Sequence, residues 1–228
     1  MVPIVDIHKL FDLVIDKTAS PYFESDEKDK FINMGIRAYV QEFFNPIQNH
    51  AHVAEKRDVD VELISELIEP ANVDTNAAGE ALHTSINAAL PVGRKFMYIL
   101  NIAKAGTNDC KDVYKMSRFC RHNEFFAWQR NEFKKPTEEY PVHRFFNGRV
   151  KFDPEGVSKA TFTVVMEPLT VTLDDPNSTG VPGANAVDCE LSIKSLNRIV
   201  LLSLISAGIS IRDAEFYQMI NNEKPSNE

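Results

Sequence analysis

The spacing of apolar residues changes period twice along this chain, and that change limits the architecture more than any other feature. From Ile4 to Ala19, the residues Ile4, Ile7, Leu10, Phe11, Val14 and Ile15 recur every three or four positions, the stripe that an amphipathic helix buries. Ser20-Pro21 stops this first helix, and Ser25-Asp26-Glu27 then supplies an N-cap with carboxylates in the first turn, where the helix dipole favours them. A second helix follows, with Phe31, Ile32, Gly35, Ile36, Tyr39, Val40 and Phe43 on its buried face; Asn45-Pro46 ends or kinks it. Gly35, inside that apolar face, predicts that another helix comes close. Two such helices joined by a short turn make an αα-hairpin whose apolar faces meet each other and a third element.

From Gly93 the period shortens. Phe96 to Ile102 is rich in β-forming residues and is closed by Gly106-Thr107-Asn108-Asp109. Val113 to Arg121 alternates loosely. Pro141 to Phe146 and Arg149 to Phe152 flank Asn147-Gly148, a dipeptide that accepts the positive φ angles of a two-residue type I′ turn, so this stretch is read as a β-hairpin. Ala160 to Met166 is a further strand, ending at Glu167-Pro168, with a candidate resumption at Leu169 to Leu173. Asp174 to Ala186 holds too many turn residues for a regular element and reads as a long exposed loop. Helical spacing then returns from Leu191 to Ser206, with a candidate continuation beyond Gly208 through Ile211, Phe216 and Ile220.

Between Gln48 and Asn87 the signal is weak. Leu63, Ile64, Leu67 and Ile68 have helical spacing and Glu69-Pro70-Ala71-Asn72 is loop-like, so no boundary is drawn there. The order helix, helix, strands, helix predicts an α+β fold: an N-terminal αα-hairpin and a C-terminal helix packed together, with an inserted antiparallel β module. The corresponding division is a helical layer of residues 1–57 and 187–222, a β-rich module of residues 58–186, and a disordered tail at residues 223–228.

Composition narrows the function classes. The chain has 228 residues and a net charge of −8, which argues against a protein that holds nucleic acid through its whole surface. The longest apolar run, Ile199 to Ile205, is short and interrupted by Ser203, and Asp6 arrives before any signal-peptide core, so a soluble chain without a signal peptide is expected. Cys110, Cys120 and Cys189 are odd in number with no Cys-x-x-Cys pair, as free thiols in a reducing compartment would be. No glycine-rich phosphate loop is present. His50 and His52 alternate in a segment that reads as helix end or loop, which does not place two imidazoles on one metal. His122, beside Glu124, lacks an accompanying nucleophile signature and is read as a structural histidine. No catalytic, cofactor-binding or metal-binding residue is assigned, and the chain is not expected to be an enzyme.

One segment differs in charge from the rest. Between Val113 and Lys151 there are nine basic residues against four acidic ones, a balance of +5, leaving −13 for the remainder. This is either a solvated β surface or an electrostatic seam that meets an acidic surface on a neighbouring copy or partner. On the second reading its residues are Arg118, Arg121, Arg130, Lys134, Lys135, Arg144 and Arg149. The same segment holds Phe125, Phe126, Trp128, Phe133, Tyr140, Phe145 and Phe146. Such rings can stack on single-stranded bases, but core packing is the more economical reading.

The run His122-Asn123-Glu124-Phe125-Phe126-Ala127-Trp128-Gln129-Arg130-Asn131-Glu132-Phe133-Lys134-Lys135-Pro136-Thr137, leading through Glu139-Tyr140-Pro141-Val142 into the hairpin, resembles the neck or ring structural proteins of crAss-like and related tailed bacteriophages. Those chains often carry a short helix, an Asn-x-Phe-x-x-Pro element and a further proline before a hairpin. The opening Leu10-Phe11-Asp12-Leu13-Val14-Ile15-Asp16-Lys17, then Tyr22-Phe23 before an acidic helix start, is similar to their αα-hairpin, and Leu90-Pro91 and the helix around Arg198 to Asp213 fit as well. The resemblance implies a virion protein assembled in the host cytoplasm: a ring, usually of twelve copies, beneath the portal protein. Such a ring extends the channel for double-stranded DNA and contacts neighbouring neck or tail proteins. An acidic lumen would let phosphates slide past. In this picture the helices face the portal and lumen. The stretch from Gln48 to Asn87 has no clear match, and the Asp174 to Ala186 loop is longer than such a fold needs. A stopper, a tail-hub adaptor or an adaptor in a non-phage assembly are the other readings.

Overall fold

Helices α1 (Ile4–Thr18) and α2 (Ser25–Glu42) form where the apolar stripes place them in the computed structural model, which describes residues 1–18, 22–43, 63–106, 113–155, 157–175 and 180–208. In α1 the side chains of Ile4, Ile7, Phe11, Val14 and Ile15 are buried and Leu10 is half-buried. In α2 the buried face is Ile32, Gly35, Ile36, Tyr39 and Val40, while Phe31 and Phe43 are half-buried. The N-cap of α2 is Glu24, not Ser25: Glu24 and Glu27 form a reciprocal capping box in which the Glu24 amide donates to Glu27 Oε2 at 3.1 Å. The chain divides into two units, Met1–Leu67 with Pro168–Glu228, and Ile68–Glu167.

In the first unit, α1 and α2 pack with a C-terminal helix, labelled α5 (Leu196–Ser206) because two short helices, described below, precede it. A 3₁₀ turn at Ile193–Ser195 leads into α5, so the regular helix begins five residues later than the apolar spacing from Leu191 suggests. It ends at Ser206. There the Gly208 amide donates to Ile205 O at 3.0 Å and Gly208 takes a φ of 75° that favours glycine. At the α2–α5 crossing, a methyl on Gly35 would run into the Ser203 hydroxyl and lie 2.8 Å from both Ile199 O and Ser203 N. The close approach expected at Gly35 is therefore present, and α5 is the helix that makes it.

Leu169 to Leu173 forms no regular strand; its only ladder contact among the described residues is the bridge Thr172–Val187. Side chains of α2 supply the missing partners. Asn33 Nδ2 donates to Val171 O and the Val171 amide donates to Asn33 Oδ1, both at 2.8 Å. One turn earlier, Asp29 accepts from Thr172 Oγ1 at 3.0 Å and from the Leu173 amide at 3.1 Å, and its other oxygen lies 2.8 Å from His8 Nε2 of α1. Val2 bridges Cys189, and the Ile4 amide donates to Asp188 Oδ1 at 2.9 Å. Buried backbone groups that no ladder pairs must find partners, and at Val171 and Leu173 two polar side chains at i and i+4 of one helix provide them.

Among the described residues, the second unit contains eight strands: β1 (Ile68–Asp74), β2 (Glu80–Leu82), β3 (Phe96–Gly106), β4 (Val113–Met116), β5 (Arg118–Phe119), β6 (Val142–Phe146), β7 (Arg149–Asp153) and β8 (Lys159–Met166). Two helices of six residues, α3 (His83–Ala88) and α4 (Phe125–Arg130), sit between them. The strands form two four-stranded sheets, β1-β8-β3-β4 and β2-β7-β6-β5. All pairings are antiparallel except β5 with β6, which is parallel. The two sheets share one core that includes Ala71, Val73, Ile102, Val150, Phe152, Phe162, Val164 and Met166, with Ile86 of α3. Phe152 and Phe162 meet edge to face within it at 6.2 Å.

Local chemistry explains where strands begin and turn. Asn147 (φ 44°) and Gly148 (φ 73°) carry the two positive φ angles of the β6–β7 turn, as the Asn-Gly signal predicts. Glu69-Pro70-Ala71-Asn72, read as loop, lies within β1; a proline is tolerated there because β1 is an edge strand, with Pro70 opposite Thr163 of β8. The Leu63 to Ile68 spacing does not run as one helix: Leu63 is helical, Ser65–Leu67 is a single 3₁₀ turn and Ile68 already pairs with Val165. Val113 to Arg121 splits at Ser117, where the chain leaves one sheet for the other: β4 pairs with β3 and β5 with β6. Ser117 is buried, and its amide donates to Ile102 O at 2.8 Å. The expected helix stops at Ser20-Pro21 and Asn45-Pro46, most of the turn at Gly106 to Asp109, His50, His52 and Cys110 lie outside the described residues. So do the helical continuation beyond Gly208 and the tail at 223–228.

Candidate functional site

The segment singled out by charge folds around a small satellite core. Helix α4 places Phe125 beside Cys120 and Val142, and Trp128 packs against these three buried residues. Arg118 of β5 lies over the Trp128 ring at 5.6 Å and the Tyr140 ring at 5.9 Å, and Lys134 Nζ is 5.8 Å from the Trp128 centroid. These are cation–π contacts on a largely exposed surface. At the β5–β6 edge, Phe119 lies 5.7 Å from Phe145 and 5.8 Å from His143, and the exposed His122 stacks on Phe146 at 6.0 Å. The turn after α4 is tied by Asn131, whose side chain accepts from the Phe133 amide at 3.0 Å and whose carbonyl accepts from Lys134 and Lys135.

Core packing does not account for the aromatics. Of the seven rings, Phe125 is buried and Trp128 half-buried, but Phe126, Phe133, Tyr140, Phe145 and Phe146 are exposed, Phe133 by 96%, and Phe119 joins them. The reason is size: a core built from Cys120, Phe125 and Val142 has room for one large ring and the flank of another. At ~25 cal/mol per Å², covering about 100 Å² of each exposed ring would contribute roughly 2–3 kcal/mol. A run of exposed rings interleaved with arginine has the composition of an interface core, where aromatic residues and Arg are enriched. The rings do not form one stacking platform. Phe119 pairs with His143 and shares the sheet face of Phe145, whereas Arg118 pairs with Val142 on the opposite face, beside Arg144 and Phe146.

The seven cations expected at a seam fall into two groups. Arg144 is nearly buried, donates to Asp153 Oδ2 at 3.0 Å and covers the Phe125 ring at 3.4 Å. Arg149 donates to Glu80 Oε2 at 2.9 Å, tying β7 to β2. Both are engaged inside the unit. Arg118, Arg121, Arg130, Lys134 and Lys135 are exposed. Of these only Arg121 has a carboxylate within 4.0 Å among the described residues, Glu124 at that limit. Lys151 pairs with Glu155 at 3.4 Å. Asp153, Glu80 and Glu155 all lie outside the Val113–Lys151 window, so three of its nine cations are compensated from beyond it and the balance falls from +5 to +2. A tally along the sequence misses this because the partners are neighbours only in the sheet.

Ionisation in the unit follows burial. His143, between Ser117 and Phe152, is pushed from the ordinary 6.5 down to about 4 by burial, against the opposing effect of Ser117. The Cys120 thiol is raised by burial and by the nearby Glu124 carboxylate, and Cys189 in the first unit is raised by burial. Both are buried free thiols. Glu80 is lowered by its hydrogen bonds from Arg149 and Asn76. Among the described residues no group of three or more His, Cys, Asp or Glu side chains is arranged to hold a metal ion, and no helix is long and apolar enough to cross a membrane. The fold and this surface define an α+β chain whose β unit presents exposed aromatic rings and uncompensated cations. No family model matches the sequence, and no curated protein matches it.

Proposed function

We propose that this chain is a virion structural protein of a tailed bacteriophage, a ring component of the neck that joins portal to tail and lines the path of double-stranded DNA. The observation that carries the reading is the aromatic surface of the β unit: Phe119, Phe126, Phe133, Tyr140, Phe145 and Phe146 are all exposed in the single chain. Water-exposed rings in such number favour a chain that works by being covered in an assembly. The sequence resemblance supplies the kind of assembly, and the acidic chain suits a channel along which phosphates slide without sticking. A stopper or tail-hub adaptor would place the same surface elsewhere in the stack. No catalytic step is assigned to any residue.

Mass spectrometry of purified phage particles tests this directly. The chain is expected in mature virions at a copy number matching the portal, and co-expressed portal should retain it through size exclusion with light scattering. A chain confined to infected cells and absent from particles refutes the proposal.

A further inference from the structure

We infer that the cation–aromatic face around α4 docks on the acidic helical unit of a second copy of this chain, so that successive copies join head to tail. The inference rests on the ring reading above and names the seam within it. Trp128 is its centre: the ring is half-buried on the Phe125 core, with Arg118 and Lys134 stacked on it and no carboxylate within 4.0 Å of either cation among the described residues. Phe126, Phe133 and Tyr140 stand exposed beside it. Aromatic rings flanked by arginine are the usual anchors of a protein interface.

Charge selects the occupant. The unit formed by Met1–Leu67 and Pro168–Glu228 contains 21 acidic and 11 basic residues, whereas Ile68–Glu167 contains 12 and 14. Each copy therefore carries both halves of a complementary pair on different units. Asp6, Asp16 and Asp26 are exposed on α1 and α2. Because the two halves differ, the contact is heterologous, the type that generates rings when the rotation closes and filaments when it does not. Single-stranded nucleic acid fits less well. The rings are split between two faces of the sheet, and Glu132, Glu138 and Glu139 share the segment with the cations.

Charge reversal in the full-length chain tests the seam, read by light scattering and by the emission of Trp128, the only tryptophan. Wild type should gain mass with concentration while Trp128 emission shifts to the blue. Arg118→Glu/Lys134→Glu should weaken self-association ~100-fold, and so should Asp16→Lys/Asp26→Lys, each with unchanged circular dichroism. An equimolar mixture of the two variants should recover both mass and the emission shift, because each reversed surface then meets an opposite one. If wild type assembles and both variants assemble equally well, the seam is wrong while the ring reading stands. If both variants lose assembly and the mixture fails to recover it, the pairing of these two surfaces is refuted. Assembly of wild type into closed dimers, blocked by either variant and restored by mixing, keeps the seam and removes the ring. A wild type that stays monomeric at every concentration overturns the seam. So does a monomer that captures a labelled single-stranded oligonucleotide in a manner lost in Arg118→Glu/Lys134→Glu.

Discussion

Replacing Gly35 with alanine sets two effects of opposite sign against each other. Alanine favours a helix interior by about 1 kcal/mol over glycine, so an exposed glycine would gain stability from the change. At Gly35 the new methyl would lie 2.8 Å from the Ile199 carbonyl oxygen and the Ser203 amide nitrogen and would strike the Ser203 hydroxyl. Ordinary contact needs roughly 3.5 Å. Two of the three obstacles are backbone atoms of α5, which cannot rotate aside, so α2 and α5 must separate by about half an ångström or more. Such a gap forfeits roughly a quarter of each van der Waals contact across the crossing, which places the cost near the upper end of the ~1–3 kcal/mol of overpacking. The net expectation is destabilisation of about 2 kcal/mol. Urea unfolding followed at 222 nm measures it in the helical unit, with Trp128 emission as a control in the β unit. Adding Ser203→Ala removes the side-chain clash but leaves the backbone, and should recover less than half of the loss. Met34→Ala, at an exposed neighbour on the same helix, should shift stability by no more than about 0.5 kcal/mol. An unchanged or more stable Gly35→Ala variant would refute the close crossing of these helices.

Four further outcomes follow from the same geometry. His143 is held neutral in the fold, with its pKa near 4 against the ordinary 6.5, so the unfolded chain takes up a proton first as pH falls. Its contribution is fully present above pH 6.5 and is lost by up to ~3 kcal/mol between pH 6.5 and 4; His143→Phe should flatten that part of the stability–pH curve measured by urea titration. Asn33→Ala removes both hydrogen bonds to buried Val171 and should cost roughly 2–4 kcal/mol, seen as a lower urea midpoint of the helical unit. Phe162→Ala empties the fully buried centre between the sheets and should cost about 3–5 kcal/mol. Phe133→Ala, at a 96% exposed ring, should leave the melting temperature within a degree or two while weakening self-association.

What the sequence reveals here divides along the range of the interactions. The stripes of α1 and α2, the glycine at the helix crossing and the Asn147-Gly148 turn are set by neighbours a few residues apart, and all can be read directly. Strand β1 cannot, because Pro70 is acceptable only once β1 is known to be an edge, a fact decided by its pairing with β8. The grip of Asn33 on Val171 spans 138 positions and leaves no periodic mark. The candidate surface shows the same division. Its residues are visible as a cluster of cations and rings, but the separation of exposed Arg118 and Lys134 from internally paired Arg144 and Arg149 depends on Asp153 and Glu80. Seven nearby aromatics suggest a core, and only the small volume around Cys120 and Val142 reveals that most of them stay outside it.

The register of β1 with β8 has a consequence for how such a chain can change. Ile68 opposes Val165, so the hundred-residue insert begins and ends on adjacent antiparallel strands, whose backbones run about 5 Å apart. Its two ends are thus close enough for a turn of a few residues to replace it, which makes the β unit an exchangeable cassette. Shortening, enlarging or replacing it would leave the polypeptide on either side threaded as before.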